Sequence, residues 1–198
     1  DTKWILKIIR EETQALLDRE IQEIQNRYLD ETGRCTIHKQ TAVAMLVYNG
    51  LYENLAPLSE QLKELVEEKN FHHDCGMVGL RRLYMALNRC GLQEYAYRII
   101  TARGFPSYVS WLEDGATALY EFWDMSVSQN HHMYSDFMSW MMKTILGIGA
   151  DIAHPGFTQV EINPYFFREL TYARGYCGTV RGRIGVAWKR TSDRIELT

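Results

Sequence analysis

The chain has no long apolar run, no surplus of one charge and no cysteines at disulfide or metal-ligand spacing. Its longest uninterrupted apolar stretch, Ala42–Tyr48, falls far short of the roughly 20 residues that a membrane-spanning helix needs. Lys and Arg number 22 against 25 Asp and Glu, for a formal charge of −3 and a pI near 6.1. That balance argues against a nucleic-acid partner and against a polybasic membrane anchor. Cys35, Cys75, Cys90 and Cys177 form no CxxC pair, which predicts free thiols and favours a reducing compartment. The opening Asp1-Thr2-Lys3-Trp4 has no basic region, no apolar leader and no initiating Met, so the chain reads as an excised piece or a mature product. GxGxxG after a strand, GxxxxGK[ST] and GxSxG are all missing, which removes nucleotide-dependent and serine-hydrolase chemistry. The adjacent pairs His72-His73 and His131-His132 lack HExxH spacing, and neighbouring side chains point apart, so neither a metal nor another cofactor is expected.

What is present is apolar and aromatic. Of 198 residues, 46% are hydrophobic and 12% aromatic, enough to build a core and too much for a disordered chain. Ile5, Ile8, Ile9, Leu16, Leu17, Ile21, Ile24 and Tyr28 recur at three- and four-residue steps, predicting one long amphipathic helix. A second helix is predicted over 39–48, apolar nearly all round and so buried on both sides, with Gly50 as its stop. Leu58, Leu62, Leu65 and Val66 mark another behind Pro57. Leu80, Leu83, Tyr84 and Leu87 mark the next, and 95–102 a fifth. Residues 107–130 read as irregular and 132–146 as helix. After Pro155-Gly156 the pattern turns to period two at Thr158, Val160 and Ile162, then at Val180, Ile184, Val186 and Trp188, predicting short strands that run on as if the sheet were cut. Helices in consecutive antiparallel-looking pairs, with no 34- or 40-residue repeat, fit a toroid of helical hairpins as well as a solenoid.

Two constellations carry chemistry. In Gly115-Ala116-Thr117-Ala118-Leu119-Tyr120-Glu121-Phe122-Trp123 a carboxylate stands among aromatics just after a small-residue turn. Sugar sites are built this way, aromatic faces packing on the ring and a few polar groups reading its hydroxyls. Glu121 there is either a general base toward water or a structural carboxylate. Asn130-His131-His132-Met133 is read at the start of a helix, either as a polar ligand site or as a capping arrangement with Asn130 as the cap.

The order of motifs is more informative than any one of them. Thr32-Gly33, Gln40-Thr41-Ala42, His72 with Gly76-Met77-Val78-Gly79, and Phe105-Pro106-Ser107-Tyr108 come first. Gly115-Ala116-Thr117 with Glu121-Phe122-Trp123, Asn130-His131-His132-Met133 and His154-Pro155-Gly156-Phe157 follow. This succession, trailed by Tyr176, Gly178-Thr179-Val180 and Trp188, resembles the bacterial α-L-rhamnosidases of glycoside hydrolase family 78. The resemblance implies a mainly α fold: part of an (α/α)6 six-hairpin barrel, followed by a short antiparallel β segment. Residues 1–152 would be the C-terminal half of that barrel and 153–198 the beginning of a C-terminal β-sandwich.

It also implies inverting hydrolysis of terminal α-L-rhamnosides, in which one carboxylic acid protonates the leaving oxygen and a carboxylate activates water from the opposite face. The family's general base falls on Glu121 and its sugar-binding histidine on His131, with Trp111, Trp123 and Asn130 as further substrate contacts. Tyr108 stands where the family commonly has Trp, and the segment between Trp123 and Asn130 is short. The family's upstream acid stretch has no counterpart here. A chain like this needs the remainder of its parent to hydrolyse a rhamnose-containing glycoside or oligosaccharide, and alone would show little or no activity. The parent would work in the bacterial cytoplasm, the periplasm or outside the cell. Two other readings stay open: a non-catalytic (α/α) carbohydrate-binding or scaffold module, and a six-hairpin glycosidase for another sugar.

Overall fold

A computed structural model describes residues 2–151 and 153–198, the side chains of 2–6 excepted, so the Ile5 side chain and position 152 of the expected boundary lie outside it. Helix α1, Thr2–Tyr28, follows the predicted apolar stripe. Ile9, Leu16 and Leu17 of the stripe stay 50–54% exposed, and towards its end Ile24 packs on the core.

The core begins with α2, Gln40–Asn49, where Val43, Ala44, Leu46 and Val47 are buried, as an all-round apolar helix requires. Its end is closed by the Gly50 N–H on the Leu46 and Val47 carbonyls, and Arg89 Nη1 donates to the Val47 and Tyr48 carbonyls at 2.8 and 3.0 Å. Helix α3, Leu55–Glu68, starts where the Asn54 side chain accepts the Ala56 N–H, with Pro57 in the first turn. Helices α4, Met77–Arg89, and α5, Gln93–Ile100, bury Leu80, Leu83, Leu87 and Ile99 completely. Where α4 crosses α2, a Cβ on Gly79 would stand 2.2 Å from Thr41 Oγ1, so only glycine permits the approach. Gln61 binds both the N–H and the carbonyl of Cys35, at 2.8 and 2.9 Å, pinning the loop that follows α1.

Several expectations need correction. Residues 107–130 are not wholly irregular: Tyr108–Glu113 form α6, started by the Ser107 side chain accepting the Ser110 N–H at 3.0 Å. The next helix does not begin near residue 132. Helix α7 spans Asp136–Trp140 and continues as a π-helical turn, Met141–Ile145. Asn130 is therefore not its cap, because His131 spends its backbone N–H on the Leu119 carbonyl, in a different segment. Strand structure starts before Pro155, with β1, Ile148–Ala150, pairing antiparallel to β2, Val160–Ile162. Strands β3, Tyr172–Thr179, β4, Gly182–Arg190, and β5, Ile195–Leu197, form an antiparallel sheet in that order. Val180, expected in a strand, occupies the β3–β4 turn and is 89% exposed. The sheet docks on the helical part through Trp188, whose Nε1 donates to the Ile145 carbonyl at 2.8 Å, and through Arg190, whose Nη2 donates to the Phe166 and Phe167 carbonyls.

Candidate active site

The segment after α6 folds back on itself through two backbone bonds. His131 N donates to the Leu119 carbonyl at 2.7 Å, and Glu121 N donates to the Ser128 carbonyl at 2.9 Å. The backbones of Glu121 and the Asn130-His131 pair are thereby held close, although eight residues of chain separate them. The loop is anchored from beneath: Trp111 Nε1 donates to the Trp123 carbonyl at 3.0 Å, and Trp123 Nε1 to the Cys75 carbonyl at 3.4 Å.

The Trp123 ring sits in an aromatic nest. It stacks on His73 at 4.6 Å and 16°, and tilts against Trp111 at 4.7 Å and Tyr134 at 4.5 Å. A hydrogen-bonded chain ties the nest together: His73 Nε2 lies 2.7 Å from the Tyr84 hydroxyl, and the Tyr108 hydroxyl donates to the Tyr134 carbonyl at 2.7 Å. Burial lowers the His73 imidazole to a pKa of about 3, so the ring is neutral at ordinary pH. Burial also pushes the Cys75 thiol up to about 12 and raises the Tyr84 and Tyr108 hydroxyls. The wall behind Glu121 is therefore aromatic, dry and uncharged.

Glu121 lies on a groove of about 330 Å³, lined also by Thr41, Met77, Val78, Met133 and Tyr134. Met77, Val78 and Met133 extend it into a second groove of about 440 Å³, which His132 and Asp136 line. His131 lines neither groove; it is half-buried, its ring parallel to that of His132 at 5.7 Å. Its Nδ1 is buried and meets no hydrogen-bond partner among the described residues. Trp111 is only 2% exposed and supports Trp123 rather than offering a ring face to a ligand. Asn130 is exposed, and its backbone N–H reaches Ser128 Oγ at 3.3 Å. So backbone pairing brings the Glu121 and His131 segments side by side, Glu121 alone of the expected residues lines the groove, and Trp111 supports Trp123 from below.

Sequence spacing alone missed two supports of the site. His73 was weighed only as a metal ligand, and its partners Tyr84 and Trp123 are remote in sequence. Gln40 is fully buried: its Nε2 donates to the His72 carbonyl at 3.1 Å and its Oε1 accepts the Asp74 N–H at 2.9 Å, fixing the loop that carries His73. The signal for Gln40 was a polar residue at the head of an otherwise apolar helix. Among the described residues, no group of three or more His, Cys, Asp and Glu side chains converges to hold a metal ion, and no helix is long and apolar enough to cross a membrane.

Comparison with known proteins places this geometry. Residues 11–145 match the family described as bacterial alpha-L-rhamnosidase 6 hairpin glycosidase domain, and 147–198 the bacterial alpha-L-rhamnosidase C-terminal domain. An alpha-L-rhamnosidase of Streptomyces avermitilis is 29% identical over 191 residues, 88% of this chain and 18% of that protein. One from an Alteromonas species is 27% identical over 188 residues, 86% of this chain and 20% of that protein. The crystal structure of the Streptomyces avermitilis alpha-L-rhamnosidase complexed with L-rhamnose superposes with a TM-score of 0.87 at 27% identity, over 93% of this chain and 19% of that one. The Dictyoglumus thermophilum alpha-L-rhamnosidase, at 24% identity and a TM-score of 0.85 over 94% of this chain and 22% of that one, shares the fold. The chain thus spans about a fifth of the length of the relatives it matches. Its helical part is a portion of a six-hairpin toroid, followed by a small antiparallel sheet. By the match over most of its length, the chain belongs to the bacterial α-L-rhamnosidase six-hairpin glycosidase family.

Proposed function

We propose that this chain is the part of an α-L-rhamnosidase that carries the general base of an inverting hydrolysis, and that Glu121 is that base. Residues 1–152 then supply the C-terminal half of the barrel and 153–198 the first strands of the sandwich, the β1–β2 pair stitching across the join. The observation that carries the reading is a carboxylate on the rim of a groove, its backbone clamped to Ser128 and its neighbour Trp123 locked in a neutral aromatic nest. In that setting Glu121 takes a proton from water as the water attacks the anomeric carbon. His131, whose backbone N–H pairs with the Leu119 carbonyl beside Glu121, is the group proposed to hydrogen-bond a sugar hydroxyl. Trp123 and Trp111 act as supports that fix the loop, and Asn130 stands at the open edge.

An inverting pair keeps its carboxyl groups about 6.5–9.5 Å apart so that a water fits between sugar and base. The acid is then supplied by the remainder of the parent chain, and residues 1–198 alone are expected to be inactive. Inversion is tested on the parent protein by proton NMR of the first product released from an aryl α-L-rhamnoside. β-L-rhamnose appearing before mutarotation agrees with the proposal, and α-L-rhamnose as first product contradicts it.

A further inference from the structure

His73 is buried, takes no part in the chemistry assigned to Glu121, and is linked to both segments that meet at that carboxylate. The first link is the ring face. It stacks on Trp123 at 4.6 Å and 16°, and Trp123 follows Glu121 by two residues in the loop that the Glu121 N–H closes onto the Ser128 carbonyl. Two residues beyond His73, the Cys75 carbonyl accepts the Trp123 Nε1–H at 3.4 Å. One short loop therefore grips the indole by its face and by its N–H.

The second link is a line of hydroxyls. His73 Nε2 lies 2.7 Å from the Tyr84 hydroxyl, which reaches the Tyr108 hydroxyl at a looser 3.5 Å, and Tyr108 donates to the Tyr134 carbonyl at 2.7 Å. Tyr108 also meets the His73 and Trp123 rings edge-on, at 5.5 and 5.2 Å. Tyr134 lines the same groove as Glu121.

The backbone around His73 is held on both sides. Gln40, fully buried at the head of α2, donates from Nε2 to the His72 carbonyl at 3.1 Å and accepts the Asp74 N–H at 2.9 Å. Phe71, two residues before His73, sits at φ 60°, a left-handed conformation that a bulky side chain adopts only where its surroundings impose it. Burying a polar ring among aromatics carries a desolvation cost that a phenylalanine would avoid. What imidazole offers in return is a stacking face and a hydrogen bond at once, which neither phenylalanine nor glutamine supplies alone.

We propose that His73 is a positioning residue for the hydrolysis: by its stack on Trp123 and its hydroxyl line to Tyr134, it fixes where the Glu121 loop stands relative to the Tyr134 wall of the groove. The proposal rests on Glu121 being the base, and adds the relay that holds it. The imidazole is neutral at ordinary pH and acts through Trp123 and Tyr134, not by moving a proton. A misplacement of about 1 Å at a reacting group costs on the order of 10²-fold in rate, so a loosened relay shows in kcat.

The test is the kinetics of an aryl α-L-rhamnoside with the parent protein carrying one of three substitutions, each alone and combined with Glu121→Gln. His73→Phe keeps the stack and drops the hydrogen bond, His73→Gln keeps a hydrogen-bonding group and drops the ring, and Tyr108→Phe removes a single hydroxyl. Each alone is expected to lower kcat about 10–100-fold with KM within about twofold. In the Glu121→Gln background each should add less than about threefold, because no base is left to position. Circular dichroism verifies folding, and Tyr108→Phe, the mildest change, decides the case if a His73 variant does not fold. Normal turnover by any folded variant would overturn the link that it breaks. A rise in KM alone, or an equal fold-loss with and without Glu121, would overturn the positioning role while leaving the base in place. Full turnover by Glu121→Gln itself would instead remove the base, and the positioning role with it.

Discussion

The helical region and the C-terminal sheet treat their apolar residues in opposite ways. In the helices, Leu58, Leu62, Leu80, Leu83, Leu87 and Ile99 lose all contact with solvent, and the Trp123 nest is built directly on that core. At the C-terminal sheet, Val186 joins Leu146 and Ile148 in a small separate cluster, Trp188 alone reaches the main core from β4, and Tyr172, Arg174 and Tyr176 are exposed. The difference teaches where rigidity is placed. The loop bearing Glu121 is fixed by many partners, as the base proposed here would require. The sheet is held by fewer contacts.

Substitutions can widen or narrow that contrast. Leu83→Ala deletes a fully buried side chain between packed helices and should lower the unfolding free energy by about 2–5 kcal/mol in a urea titration. A loss below ~1 kcal/mol would mean the helical core is no tighter than the sheet.

Acid should separate the regions as well. His73 is neutral when folded, its pKa held near 3, whereas the unfolded chain takes up a proton below the ordinary 6.5. Protonation therefore favours unfolding throughout that window. The contribution of His73 is complete above pH 6.5 and falls as pH drops toward 3. His73→Leu should flatten the decline by about 3 kcal/mol at pH 4.5, read from denaturation midpoints across pH. An unchanged pH profile would place the acid sensitivity elsewhere.

Trp188→Phe should do least. It keeps the ring and removes the bond to the Ile145 carbonyl, worth about 1 kcal/mol. Hydrogen exchange should quicken in β3 and β4 and leave α2 and α4 as protected as before. Equal loosening of both would erase the contrast.

The parts legible in the sequence were those decided locally. The apolar run of α2 and the spacing of α4 could be read because two-sided burial leaves little choice of residue. Glu121 and His131 stood out because their motifs come in a fixed order. Strand β3 was obscure because its inward positions are Ala173, Gly175 and Cys177. A Cβ on Gly175 would stand 2.5 Å from Leu146 Cδ1 and would displace that side chain, so small residues fill the inward face and the usual β-branched signal is missing. The start of α7 was obscure for a different reason: the Leu119 carbonyl, twelve residues back, takes the His131 N–H and withholds helix from residues 131–135. The His73–Tyr84–Trp123 cluster joins three segments, and no local pattern reports it.

The most direct measurement is the turnover of an aryl α-L-rhamnoside by the parent protein carrying Glu121→Gln, with its KM beside its kcat. The substitution keeps size and hydrogen-bonding reach and removes the base. A fall in kcat of about 10²–10⁴ with KM nearly unchanged is the predicted result. Turnover close to that of the unsubstituted protein would contradict the role given to Glu121.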